Sequence, residues 1–187
     1  FHLDLTGNVA EAKDLYSKTF DFSLSMREDY LVIDLSEDGL DGSNLKTLIE
    51  NSGNSVIYST STSSLDNLSG YKGVFLTLGI YSSNHVLIDA EWNKLKAYLD
   101  NGGNLFLEAG DAWSWDPDHD GTSAYLSYFG INGDADGANI TSLTGETGSL
   151  ANGLTFNYNS DYSNYIDEIS PSGSFAQLMF SSRSRKS

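Results

Sequence analysis

The acidic residues in the middle of the chain fall into two spaced groups. Asp116, Asp118 and Asp120 stand at alternate positions with Gly121 directly after. Carboxylates at positions 1, 3 and 5 of a loop, with glycine at 6, make the first half of an oxygen cage for calcium. An EF-hand needs Glu at position 12, and Ser127 stands there, so any remaining ligands must come from elsewhere, such as the Thr122 carbonyl. Asn132, Asp134 and Asp136, followed by Gly137, repeat the layout, with Leu143 at position 12. The competing reading of both groups is an acidic turn in an acid-rich chain. Glu108 and Asp111 stand where an apolar run ends, a place that suits a catalytic carboxylate, and His85 could serve them as base or ligand. Trp113 and Trp115 are spaced to stack on a sugar or a protein surface, or else to pack inward.

Composition narrows the partners. The 187 residues hold 26 acidic and 10 basic side chains, a net charge of −16, which disfavours nucleic acid and anionic membranes. With 39% hydrophobic residues the chain can build a core, yet no apolar run has the roughly 20 residues needed to cross a bilayer. Cysteine is absent, which removes disulfides, thiolate metal sites and a thiol nucleophile. The loop after the first strand carries Glu37 and Asp38 where a phosphate loop would carry glycines, so neither nucleotide nor flavin is expected. The chain has no initiator Met and no signal peptide, and reads as a processed chain or a piece of a longer one.

The elements that must position these residues are legible from residue 30. Residues 30–35 form an apolar, branched run, the mark of a strand buried on both faces. Ser43 is placed to cap a helix bearing Leu45, Leu48 and Ile49, with Gly53 to end it. Residues 56–58 and 73–78 read as further strands, with a Ser/Thr-rich loop at 59–64. Asp89 is placed to cap a helix with Trp92, Leu95, Tyr98 and Leu99 on one face. Residues 104–108 read as a fourth strand. Alternating strands and helices imply right-handed crossovers and a parallel sheet. The expectation is an α/β three-layer sandwich, flavodoxin-like, with a mainly parallel sheet of order 2-1-3-4 plus C-terminal strands. Ligands in such sheets collect at the carboxyl ends of the strands.

Beyond residue 110 the signals weaken. Tyr125, Leu126 and Phe129 suggest a short helix, Leu154, Phe156 and Tyr158 alternate like a strand, and residues 175–180 suggest another. Residues 1–29 read as a lead-in, either a short helix capped by Asn8 or a linker strand. Residues 181–187, with three basic side chains, read as a disordered tail, leaving 30–180 as the domain.

Residues 72–111, with 145–149, 154–158 and 165–171, resemble class I glutamine-amidotransferase-like α/β domains. More narrowly, they are similar to the versions embedded in large secreted bacterial surface proteins. The resemblance covers residues 30–180 and implies a flavodoxin-like fold, an extracellular or cell-surface location, and other domains of a longer parent chain as neighbours. That family places a nucleophilic cysteine at a strand-to-helix elbow. Here the matching strand end runs from Glu108 to Asp111 and the chain has no cysteine, so no glutaminase activity is expected. Three functions follow as expectations: a non-catalytic, calcium-stabilised accessory domain serving adhesion or spacing; a hydrolase using Glu108, Asp111 and His85; and a carbohydrate-binding module, or one for a protein ligand, using Trp113 and Trp115.

Overall fold

The computed structural model describes residues 29–37, 39–119, 121–137, 140–157, 166–174 and 176–184. Four strands, β1 (Tyr30–Asp34), β2 (Val56–Ser59), β3 (Gly73–Thr77) and β4 (Leu105–Glu108), form one sheet in the order β2-β1-β3-β4. All three pairings are parallel, so the expected order and direction are observed. β1 lies inside the sheet because every one of its residues can be buried. Its alternation divides the core. Tyr30 and Val32 face one side with Phe75, against Leu45 and Ile49 of helix α1 (Leu40–Asn51). Leu31 and Ile33 face the other side with Val74 and Leu76, against Trp92, Leu95 and Tyr98 of helix α2 (Asp89–Asp100). Helices on both faces make the three layers.

The start of α1 departs from expectation. The helix begins at Leu40, after Gly39 at φ 64°, and not at Ser43. Its cap comes from outside the helix: the Gly42 amide donates to Asp34 Oδ2 at 3.1 Å. Asp34 is buried at the end of β1, and it also accepts from Ser36 N and Oγ, Thr77 Oγ1 and Tyr58 Oη. A Cβ on Gly42 would lie 2.4 Å from the Asp34 Cβ, so only glycine lets helix and strand end approach this closely. Gly42→Ala is therefore expected to destabilise by about 1–3 kcal/mol through overpacking, although alanine is the better helix former. Chemical denaturation measures this, and a gain in stability would show that the approach is not tight.

The Ser/Thr-rich loop contains a 3₁₀ turn (Thr62–Asp66), held by Ser61 Oγ accepting from Ser63 N and by burial of Leu65. Asp89 is the first residue of α2, not its cap. Glu91 Oε2 instead accepts from Ile88 N at 3.3 Å, and Gly102 ends the helix at φ 76°.

After β4 come two short helices, α3 (Trp115–His119) and α4 (Ala124–Phe129). The second supplies the expected apolar patch: Trp92 meets Tyr125, Tyr128 and Phe129 at ring-centroid distances of 5.6, 5.3 and 5.6 Å. The C-terminal strands do not extend the parallel sheet. β5 (Ile131–Asp136) and β8 (Asp167–Pro171) pair antiparallel, and β7 (Thr155–Asn157), β6 (Ile140–Gly145) and β9 (Phe180–Ser184) form a second antiparallel sheet. Ile140, Leu143, Ala151, Ile166 and Phe180 give it a separate small core. β9 corrects two expectations. Residues 176–179 are not strand, and 181–184, expected to be disordered, pair with β6. Backbone pairing does not require apolar side chains, so the polar composition of this segment hid it. Tyr158, Phe175, residues 185–187 and the lead-in 1–28 lie outside the described residues. Among the described residues no helix is long and apolar enough to cross a membrane.

Candidate functional site

The carboxyl end of the parallel sheet meets the C-terminal ribbon through a backbone relay. The Gly110 amide donates to Gly79 O, and the Asp167 amide donates to Gly110 O, both at 2.9 Å. This relay brings three aspartates from distant parts of the chain together: Asp111 after β4, Asp136 at the end of β5 and Asp167 at the start of β8. One carboxylate oxygen from each lies within 4.8 Å of the others. Asp136 and Asp167 are direct cross-strand partners, a placement that is unfavourable for two like charges on its own.

Each carboxylate is held by backbone. Asp111 is buried, and its Oδ2 accepts from Tyr81 N at 2.7 Å. Asp167 Oδ2 accepts from Trp113 N and Ser114 N at 2.8 and 2.7 Å, and its Oδ1 from Trp115 N at 3.2 Å. Asp136 is exposed and forms the open side of the cluster. Its register depends on a bulge in β5 between Gly133 and Ala135. A Cβ on Gly133 would lie 2.0 Å from Trp113 O, so the strand can lie this close to the β4–α3 loop only with glycine there.

Burial pushes the Asp111 carboxyl up to about 6, with the neighbouring charges of Asp167 and Asp136 adding to the rise and the Tyr81 amide opposing it. Burial likewise raises Asp167, against the opposing effect of its three amide donors. Between the ordinary carboxylate value of 3.8 and about 6, the folded chain holds a proton on Asp111 that the unfolded chain has released. Stability in chelator is therefore expected to fall as pH rises through this window and to level off above it. Asp111→Asn, neutral throughout, is expected to flatten the profile. Denaturant melts between those pH values check this, and an unchanged slope would remove Asp111 as its source.

The residues singled out from sequence have different fates. Asp116 and Asp118 lie in α3, where residues two apart point about 200° from each other, so they do not form the expected cage. Asp116 is buried and accepts from Asn84 Nδ2 at 2.9 and 3.1 Å; Asp118 is exposed, and Asp120 lies outside the described residues. Asn132 and Asp134 are exposed and both engage Ser170 Oγ, away from the Asp136–Asp167 pair. His85 Nε2 lies 2.8 Å from Glu91 Oε2, the carboxylate that also holds the start of α2. Glu108 is buried in β4 opposite Thr77. Trp113 packs edge-on against Tyr125 and Phe129 in the core, while Trp115 is exposed and stacks on His119 with ring centroids 3.9 Å apart. The two indoles therefore do not make one flat platform.

Sequence reasoning named Asp111 and Asp136 in different motifs and missed Asp167. The only local sign at Asp167 is an acid opening a strand-like stretch, which is too common to single out. Comparison with protein-family models, with curated proteins and with solved structures finds no match.

Proposed function

We propose that this chain is a non-catalytic accessory domain of a secreted or cell-surface bacterial protein, serving adhesion or spacing, and that a calcium ion at Asp111, Asp136 and Asp167 fastens its C-terminal ribbon to the parallel sheet. The convergence of those three carboxylates carries the reading. Calcium holds oxygen ligands at about 2.4 Å, so two of its ligands stand at most about 4.8 Å apart, and the three carboxylate oxygens meet that limit. Among the described residues no basic side chain pairs with any of the three. A divalent cation offsets their mutual repulsion, and millimolar extracellular calcium fills sites with dissociation constants of about 10⁻⁴ M. The secreted setting is supported by the acidic composition and by the resemblance over residues 30–180.

Isothermal titration of the full chain with calcium chloride tests the site. One ion per chain with a dissociation constant of about 10⁻⁴ M is expected. Asp136→Asn, at an exposed position, should abolish the heat and leave the fold intact. No binding at millimolar calcium, or binding unchanged in the variant, overturns the metal assignment. The hydrolase reading has one observation in its favour, the raised Asp111 carboxyl at the strand ends. Hydrolysis of an ester, amide or glycoside by the chain, lost in Asp111→Asn, would replace the non-catalytic reading.

A further inference from the structure

The parallel sheet has two outer strands, and they differ in how they are guarded. Among the described residues β2 pairs only with β1, and β4 only with β3. β4 ends in Glu108 and leads directly to Asp111 and the carboxylate cluster, so its edge runs into concentrated negative charge. β2 lies in a stretch, residues 51–65, without a single charged side chain. It has no proline, no bulge and no lysine, three of the devices that keep an edge strand from pairing, and only its shortness, at four residues, guards it. Ile57, at 45% exposure, projects from it toward solvent.

We propose that β2 is a self-association edge, on which two copies of this chain pair β2 to β2, antiparallel about a two-fold axis, so that one sheet runs through both. Charge identifies the occupant. A basic partner would be drawn to the acidic faces and would gain little at a neutral strand. A second copy, itself at −16, is repelled least where charge is sparsest, and the four residues of β2 carry none on either partner, the Asp29 carboxylate that accepts from Ser55 Oγ standing beside the start of the strand. A two-fold arrangement is self-complementary, so Ile57 of each copy lies near the other at the centre of the contact. Four residues of strand span only about 13 Å, which places the association among weak interfaces. The proposal does not depend on the calcium assignment.

Sedimentation velocity on the full chain, from about 5 to 500 µM, reads the association. The expected mass rises with concentration from 20.3 kDa toward twice that value. Raising NaCl from about 50 to about 300 mM should tighten association severalfold, because screening relieves the repulsion between the acidic bodies. Ile57→Lys should weaken it at least tenfold and Ile57→Thr, which keeps a β-branched residue, about threefold, with circular dichroism unchanged. Ile88→Lys, at an exposed position on the start of α2, should leave it intact. A constant 20.3 kDa at every concentration, weakening by salt, or a dimer indifferent to Ile57→Lys overturns the proposal.

Discussion

Saturating calcium is expected to raise the melting temperature of this chain by roughly 5–10 °C over the same sample in chelator. An ion that binds only the folded state stabilises it by about 2.7 kcal/mol when its concentration is a hundredfold above the dissociation constant. For a domain of this size each kcal/mol moves the midpoint by about 2–4 °C. The proposed site makes the effect specific to the seam: an ion held there would neutralise the repulsion between Asp136 and Asp167 across the ribbon and join both to Asp111 on the sheet. Asp136→Asn should lose the calcium response, whereas Asp118→Ala should keep it, because Asp118 is exposed on α3 and faces away from Asp116. Equal midpoints with calcium and with chelator would remove the stabilising role. A response lost in Asp118→Ala but kept in Asp136→Asn would return the ion to the 116–120 segment.

Replacing Asp34 by alanine is expected to destabilise the fold by about 3–4 kcal/mol and to lower the midpoint by roughly 10 °C. Its carboxylate accepts five hydrogen bonds, at 2.6 to 3.1 Å, from Ser36 N and Oγ, Gly42 N, Thr77 Oγ1 and Tyr58 Oη. Burial, together with the bond to Asp34 and its charge, pushes the Tyr58 hydroxyl up to about 12, so it remains a donor at any physiological pH. Alanine leaves buried donors unmatched, which costs more than the bonds were worth net. Asparagine keeps the shape but presents two of these donors with an amide NH₂, and should recover only part of the loss. Denaturant titration of the wild type and both variants provides the measurement. A loss below about 1 kcal/mol for alanine would mean that water satisfies the network. The same carboxylate occupies the N-terminus of α1, so the negative charge favoured there is supplied by the protein itself.

How far the site could be read from sequence follows from how its parts are held. Asp111 stands out locally because it follows a strongly patterned strand at the sheet end where ligands gather. Asp136 was found for a reason the structure replaces: the 132–136 spacing suggested a loop, yet the segment is a bulged strand and only its last acid joins the cluster. The spacing of Asp116 and Asp118 failed because alternate residues converge in an extended loop and diverge in a helical turn, and this turn, Trp115–His119, follows directly on the amides of Trp113, Ser114 and Trp115 that the Asp167 carboxylate holds. That bond links residues more than fifty positions apart and has no local signature.

The sequence by itself determined the parallel sheet. Runs such as 30–35 can satisfy their side chains only when buried on both faces, and helices with one apolar stripe then have to lie above and below, which leads to the order 2-1-3-4. The absence of cysteine likewise settled, without any coordinates, that no thiolate acts here. Tertiary structure alone decided where α1 begins, since its cap is Asp34 from β1, and where the C-terminal strands go, since short polar strands carry too little periodicity to specify partners. It also decided which acids meet. Hydrophobic patterning is a local property that repeats along the chain, so it can be read residue by residue. A cluster of carboxylates exists only after the Gly79–Gly110–Asp167 relay has brought the two halves of the chain together, and that relay is made of backbone groups every residue possesses.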